Sequence, residues 1–190
     1  MKTRTRLCVF FLSLVFLTGT PLYAPASDVD NVKEFRARVE EYAMLHRSVE
    51  GKLPALPQKA TSDQIAAHQQ GLAEAIRTAR SKAKRGDVFS KAKDYFRRAI
   101  AAEFKGKAGL TARQTIQEGN PANEASGGPI ILSVNAGYPP EASLSAMPPT
   151  LLLRLPPLPD ELNYRFVGRH LILHDTDADI IVDFILNVAP

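Results

Sequence analysis

Residues 163–185, "NYRFVGRHLILHDTDADIIVDFI", have the clearest structural pattern in this chain. Apolar and polar side chains alternate along it, and a period of two is typical of strands that bury one face. Gly168-Arg169 fits a two-residue hairpin turn, because glycine tolerates the positive φ that such turns demand. That turn sets Phe166 opposite Leu171 and begins an antiparallel meander.

A second two-residue turn, at Asp177-Ala178, completes a three-stranded sheet. It sets Leu173 opposite Val182 and Leu171 opposite Phe184. One face then carries seven apolar side chains and needs a cover, whereas the other face is predicted to be polar and solvated. The apolar face comprises Tyr164, Phe166, Leu171, Leu173, Ile180, Val182 and Phe184.

The composition changes near residue 105, from Ala, Lys, Arg, Glu and Gln to Pro, Gly, Leu, Ile and Val. Before that point, apolar residues at three- and four-residue steps predict helices over about 30–50, 61–84 and from Asp87 onward. Thr61 and Gln64 have the spacing of a capping box. The sequence therefore predicts an α+β fold, with an N-terminal three-helix region followed by a small antiparallel β-meander packed on the helices.

The part between the helices and the meander is rich in glycine and proline. There, "IILSVNAGYPP" (130–140) predicts a short strand, and "PPTLLLRLPPLPDEL" (148–162) predicts an extended run with polyproline-like geometry. We expect the chain to divide into a signal peptide (1–26), a helical region (27–105), a Gly/Pro-rich connection with short extended segments (106–160) and the antiparallel β-meander (161–190).

The N-terminus has the three-part layout of a secretory signal peptide. Basic residues precede an apolar run, Leu7 to Leu17, and Ala24-Pro25-Ala26 has the small-x-small form of a cleavage site. The run is shorter than the ~20 residues that a membrane span needs. We expect cleavage after Ala26 and a soluble periplasmic or secreted product. The alternative is an uncleaved anchor, since the proline beside the cut could slow the peptidase.

The charge of the chain bears on nucleic acid as a partner. The whole sequence has 24 Lys and Arg against 20 Asp and Glu, and the signal holds three of the bases and none of the acids. The mature part is therefore close to neutral, which argues against nucleic acid as a partner. Cys8, the only cysteine, lies in the signal. The mature chain therefore has no disulfide, thiolate nucleophile or cysteine metal site.

Three stretches carry a resemblance to other proteins. They are "HQQGLAEAIRTARSKAKRGDVF" (68–89), "NAGYPPEASLSAMPPTLLLRLPPLP" (135–159) and "LNYRFVGRHLILHDTDADIIVDFI" (162–185). The chain resembles, over most of its mature length, a group of uncharacterised bacterial proteins with signal peptides and no assigned activity. The resemblance implies an exported bacterial protein and supplies no catalytic residues.

The acidic run "HDTDAD" is the first candidate site. Asp175, Asp177 and Asp179 match positions 1, 3 and 5 of a helix-loop-helix calcium loop. Position 6 should be glycine and is Ile180, and position 12 should be glutamate and is Leu186. The pattern favours a turn between strands over a metal site, because aspartates accept hydrogen bonds from nearby amides in turns. We therefore expect neither a metal nor a cofactor.

The histidines beside this run are the second candidate. His170 and His174 would lie ~13 Å apart on a strand with ~3.3 Å per residue, too far for one zinc ion. His174 is predicted beside Asp183 on the polar face, where the two could act as acid and base. This arrangement predicts the rival function, a small hydrolase that uses His174 with Asp175 or Asp183.

Two further histidines fall near the apolar stripes of the first two helices. These are His46 and His68. A histidine near such a stripe is more often a boundary residue than a metal ligand, although a histidine pair between two helices would be worth checking in the structure.

The densest basic run is "RTARSKAKR", residues 77–85. Cations favour the last turns of a helix, so a solvated helix face is the ordinary explanation. The functional alternative is contact with anionic lipid or cell-wall polymer. The residues that would make this contact are Arg77, Arg80, Lys82, Lys84 and Arg85.

The sequence thus favours a non-catalytic exported protein with a binding or structural role in the bacterial cell envelope. It contains no strong nucleophile, ligand set or phosphate loop. The expected partner is an envelope protein or polymer, with peripheral membrane contact as the alternative. The sequence leaves the oligomeric state and the choice between enzyme and binding protein open.

Overall fold

The computed structural model describes residues 26–105, 109–111, 114, 132–138 and 147–189. Helices precede a three-stranded antiparallel sheet of order β1-β2-β3, which confirms the predicted α+β fold. No helix within these ranges has the length and apolarity to span a bilayer. The elements are α1 (Ala26–Glu50), α2 (Ser62–Ala79), α3 (Lys93–Glu103), α4 (Pro149–Leu152), β1 (Leu162–Val167), β2 (His170–Asp175) and β3 (Ile180–Ile185).

Several predicted features lie outside the described residues. They are the signal peptide up to residue 25, with Cys8, and most of the Gly/Pro-rich connection. The predicted strand over 130–140 is described at 132–138, where Gly137 makes one isolated bridge to Ile180. The extended run predicted over 148–162 is wrong at its start, because α4 forms there. Pro149 is its first residue, a position that needs no amide donor.

The second helix begins as predicted and ends early. The amide of Gln64 donates to Thr61 Oγ1 at 3.3 Å and the amide of Thr61 donates to Gln64 Oε1 at 2.9 Å, which confirms the capping box. The helix ends at Ala79 rather than near Lys84. Turns then lead through Gly86, whose φ of 90° suits glycine, to a 3-10 turn over 90–92 that precedes α3.

The main core lies between the helices and one face of the sheet. Rings from α1, the 86–90 loop and α3 meet at its centre, with Phe35, Phe89 and Phe96 at centroid separations of 5.0 to 5.5 Å. All three rings are buried. Burial of this size contributes about 1.5–3 kcal/mol per large apolar side chain. The helices thus supply the cover that the apolar sheet face needs.

The first hairpin has the predicted register. Phe166 pairs with Leu171 and Tyr164 pairs with Leu173. Gly168 has a φ of 58°, as the two-residue turn requires.

The second hairpin departs from the predicted register at one point. Asp175 pairs with Ile180 as the turn at 177–178 predicts, but the register then shifts by one residue between Leu173 and His174. Leu173 therefore pairs with Asp183 instead of Val182. A shift of one residue reverses the face of each side chain beyond it.

The reversal exchanges two apolar residues between the faces. Ile185, rather than Phe184, joins the main core and pairs with Leu171. Phe184 turns to the other face of the sheet, which is apolar and is covered by residues 132–138. The prediction of a polar, solvated outer face is therefore wrong. The buried cluster of that face comprises Tyr138, Val167, Ile172, Ile181 and Phe184.

Candidate functional site

Asp183 is buried against the loop that precedes α3. Its carboxylate accepts hydrogen bonds from the amides of Gly86 at 2.8 Å, Val88 at 2.9 Å, Phe89 at 2.9 Å and Phe184 at 2.8 Å. Burial raises the pKa of Asp183, and the four amides oppose that rise. The carboxylate thus fixes the 86–89 loop to β3 and is not free to act on a ligand.

His174 does not lie beside Asp183, so the predicted acid and base pair is wrong. The register shift places Asp183 on the helix side, whereas His174 lies on the outer side. There its Nε2 is 2.9 Å from Asp179 Oδ1, and its ring centroid is 4.7 Å from that of Tyr138. Burial lowers the pKa of His174 despite the Asp179 carboxylate. Within the described ranges its Nδ1 has no hydrogen-bond partner.

Asp175 is the centre of a second buried polar cluster. Its Oδ2 accepts hydrogen bonds from Tyr42 Oη at 2.6 Å and from His46 Nδ1 at 2.7 Å. Its Oδ1 accepts from the amides of Asp177 at 3.0 Å and Ala178 at 2.8 Å. Burial alone would raise the pKa of Asp175, but the bonds from His46 and Tyr42 outweigh it and lower the pKa. One carboxylate therefore shapes the β2–β3 turn and ties it to α1.

His46 is buried and not the boundary residue that its sequence position suggested. Burial alone would lower its pKa, but the hydrogen bond to Asp175 and nearby carboxylates raise it. Its Nε2 is 3.6 Å from Glu50 and 3.7 Å from Asp177, and His68 Nε2 is 4.0 Å from Glu50. Across the described residues, no group of three or more His, Cys, Asp or Glu is placed to hold a metal ion.

These pKa shifts set the pH window in which the His46–Asp175 pair stabilises the protein. The pKa of Asp175 is lowered, so its contribution is present above about pH 4 and is lost as pH falls through its folded pKa. The pKa of His46 is raised, so its contribution is complete below about pH 6.5 and is lost as pH rises through its folded pKa. The pair is expected to stabilise most between these limits.

Comparison with a His46→Gln variant isolates this effect from other titrating groups. The stability difference between the two proteins, measured by urea unfolding, is expected to be larger at pH 5.5 than at pH 9. At high pH the imidazole loses its charge and its attraction to the buried carboxylate. An equal difference at both pH values would show that the charge of His46 does not stabilise the fold.

The basic run divides into a structural half and an exposed half. Arg77 Nε donates to the carbonyl of Asn135 at 2.9 Å, and Arg80 donates to Asn135 Oδ1 at 2.7 Å and to the carbonyl of Val182 at 3.1 Å. The Arg80 guanidinium also lies 4.9 Å from the centre of the Tyr42 ring. These two arginines therefore help to hold residues 132–138 against β3.

Lys82, Lys84 and Arg85 remain exposed, and Arg85 opens onto a cleft of about 870 Å³. The cleft lies between the start of α3 and the end of β3. It is also lined by Lys91, Lys93 and Arg97. Among the described residues that line it, one is acidic, Asp94. We call these four basic residues, Arg85, Lys91, Lys93 and Arg97, the cationic cluster.

The cationic cluster has no ion-pair partner in the described part of the chain. In the described residues, no acidic side-chain oxygen lies within 4.0 Å of a side-chain nitrogen of any of its four members. Arg98, next in sequence to Arg97, pairs instead with Asp28 at 2.5 Å. The described lining therefore has four cations and one acid, and a concave basic surface attracts anions.

Sequence reasoning found one member of this cluster and missed three. The buried residues Val88 and Phe89 separate the basic run from Lys91, Lys93 and Arg97. The sequence therefore does not show these basic residues as one charged segment. The four-residue step from Lys93 to Arg97 was the available signal, because it places both side chains on one face of α3.

Comparison of the chain with protein-family models, with curated proteins and with solved structures found no match.

Proposed function

We propose that this chain is an exported, non-catalytic binding protein of the bacterial cell envelope that holds an anionic ligand in the cleft between α3 and β3. The observation that carries the proposal is the cationic cluster, which concentrates four basic side chains around one concave surface. An anionic polymer of the envelope is the partner that fits such a surface.

The surroundings of the three candidate catalytic residues favour a binding role over a hydrolase. Asp183 is held by four amides and Asp175 by two side chains and two amides, so neither carboxylate is available to a substrate. His174 contacts neither of them through its ring nitrogens and pairs with Asp179 instead. A hydrolase needs acid, base and nucleophile to converge on one reacting atom.

The N-terminal sequence supports export. A cut after Ala26 would leave Ser27 as the first residue, close to the start of α1. Asp28 follows this cut in α1, is buried and pairs with Arg98. Cleavage at the predicted point would therefore keep the contacts that place α1 on the core.

Binding to bacterial envelope material tests the proposal. The purified protein is expected to sediment with isolated envelopes at low salt and to be released as salt screens its charges. A Lys91→Ala and Lys93→Ala double variant is expected to bind about tenfold more weakly, a loss of about 1.4 kcal/mol. Both lysines are exposed, so the fold should be unaffected.

A double variant at Lys52 and Lys59 is the matched control. These lysines are also exposed and do not line the cleft. Changing both to alanine removes the same charge and should leave binding within about twofold of the original protein. If both double variants lost binding equally, general charge would explain the association and the cleft would not be the site.

A further inference from the structure

Residues 132–138 form a strap that lies over the outer face of the sheet, beside β3. The amide of Asn135 donates to the carbonyl of Ile181 at 2.8 Å, and the amide of Ile181 donates to the carbonyl of Ala136 at 2.9 Å. These bonds add the strap to one edge of the sheet, next to β3. The strap can therefore open while β1, β2 and β3 stay paired with one another.

His174 is buried where the strap meets the sheet. Only 4% of the residue is exposed, and its ring centroid lies 4.7 Å from that of Tyr138 in the strap. Its Nε2 is 2.9 Å from Asp179 Oδ1, while the carbonyl of Asp179 accepts the amide of Tyr138 at 2.9 Å. Asp179 thus contacts both the imidazole and the end of the strap. Opening of the strap at Tyr138 would expose the imidazole to water.

The surroundings of His174 oppose its protonation while the strap is closed. Burial lowers the pKa of His174 and outweighs the attraction of Asp179 in the turn and of Asp175 in β2, and Arg165 on the neighbouring strand lowers the pKa further. Tyr138 adds no charge to balance the ring, because burial raises the pKa of its phenol. A protonated imidazole also carries an N–H at Nδ1, for which the described residues provide no acceptor.

We propose that protonation of His174 opens the strap, which makes residues 132–138 a pH-sensitive cover of the sheet. The pKa of His174 is lower in the closed form than the ~6.5 of a solvated imidazole. The closed form therefore has its full advantage above about pH 6.5 and loses it as the pH falls toward the lower pKa. Since the two forms differ by one proton, the open fraction rises by at most about tenfold per pH unit in that range.

The buried pair of His46 and Asp175 keeps this opening local. That pair is expected to stabilise the protein most between about pH 4 and pH 6.5, so α1 stays anchored to the β2–β3 turn while the strap opens. The opened form would expose the apolar outer face, which includes Ile172 and Ile181. Acidification would thus present an apolar surface that the closed form hides.

Hydrogen exchange at three amides measures the opening. The amides of Asn135, Tyr138 and Ile181 make the bonds that join the strap to the sheet, so they lose protection when it opens. After correction for the intrinsic rate at each pH, their protection factors are expected to fall several-fold from pH 7.5 to pH 5.5. The amides that pair β1 with β2 should keep their protection. Unchanged protection at the three amides, or an equal loss throughout the sheet, would overturn the proposal.

Two variants remove the imidazole from this position. His174→Phe keeps a ring against Tyr138, and His174→Gln keeps a polar group near Asp179. In either variant the protection of the strap amides should be the same at both pH values within about twofold. His170→Gln is the matched control on the same strand, where the ring accepts the amide of Asn187 instead, and it should keep the pH response. A normal pH response in a His174 variant would show that another group is the sensor.

Loosening the strap should in turn raise the pKa of His174, because the coupling is reciprocal. Asn135→Gly suits the φ of 63° at that position and removes the side-chain bonds with Arg80, at 2.7 and 3.0 Å. NMR titration of the imidazole is expected to give a pKa below about 6.5 in the original protein and closer to that value in the variant. This comparison keeps His174 in place, so it does not depend on how its variants fold. The same pKa in both proteins would contradict the proposal.

Discussion

Asp183→Ala is expected to lower the free energy of unfolding by about 4 kcal/mol. The change leaves the amides of Gly86, Val88, Phe89 and Phe184 without their acceptor in the interior. Each buried donor without a partner costs about 1–3 kcal/mol, and some relaxation of the loop will recover part of it. A loss of this size is a large share of the stability of an ordinary domain.

Urea unfolding of three variants checks this expectation. Asp183→Asn keeps the volume and offers one acceptor oxygen in place of two, so its loss should be intermediate. Asp160→Ala is the control, because Asp160 is exposed, and its effect should stay within about 0.5 kcal/mol. If Asp183→Ala unfolded no more easily than Asp160→Ala, the carboxylate would not be what holds the 86–89 loop to β3.

Asp175→Ala is expected to cost about 3–5 kcal/mol, because it breaks a buried charge pair by removing one partner. Tyr42 Oη and His46 Nδ1 would both lose their acceptor, and so would the amides of Asp177 and Ala178 in the turn. The raised pKa of His46 depends on this carboxylate, so the imidazole should also titrate at lower pH in the variant.

Thermal and urea unfolding at pH 5.5 give the stability, and NMR titration of the imidazole gives its pKa. Tyr42→Phe removes one hydrogen bond to the charged carboxylate and keeps the ring that packs in the core, so it should cost about 1.5–3 kcal/mol. The proposed role of Asp175 would be wrong if Asp175→Ala cost no more than Tyr42→Phe, or if the pKa of His46 stayed where it was.

The first hairpin of the β-meander was predictable because its determinants are local. The alternation of residues 163–185 and a glycine at position 168 are enough to fix the register of β1 and β2. The capping box at Thr61 is predictable for the same reason, since its two partners lie three residues apart.

The register shift in the second hairpin was not predictable from alternation. Asp183 is turned inward by donors at Gly86, Val88 and Phe89, which lie more than 90 residues earlier in the chain. A pattern of period two assigns each side chain to a face from its neighbours alone, so it cannot include such partners. For the same reason, alternation wrongly predicted that His174 lies beside Asp183 and that Phe184, rather than Ile185, packs in the main core.

The α+β class, the first hairpin and the expectation of export follow from the sequence, because each depends on residues close together in the chain. The roles of the charged residues depend instead on the tertiary structure. That structure placed Asp175 between α1 and the β2–β3 turn, gave Arg77 and Arg80 main-chain partners, and brought Arg85 to a cleft with Lys91, Lys93 and Arg97. The physical reason is that a buried or clustered charge is defined by its partners in space.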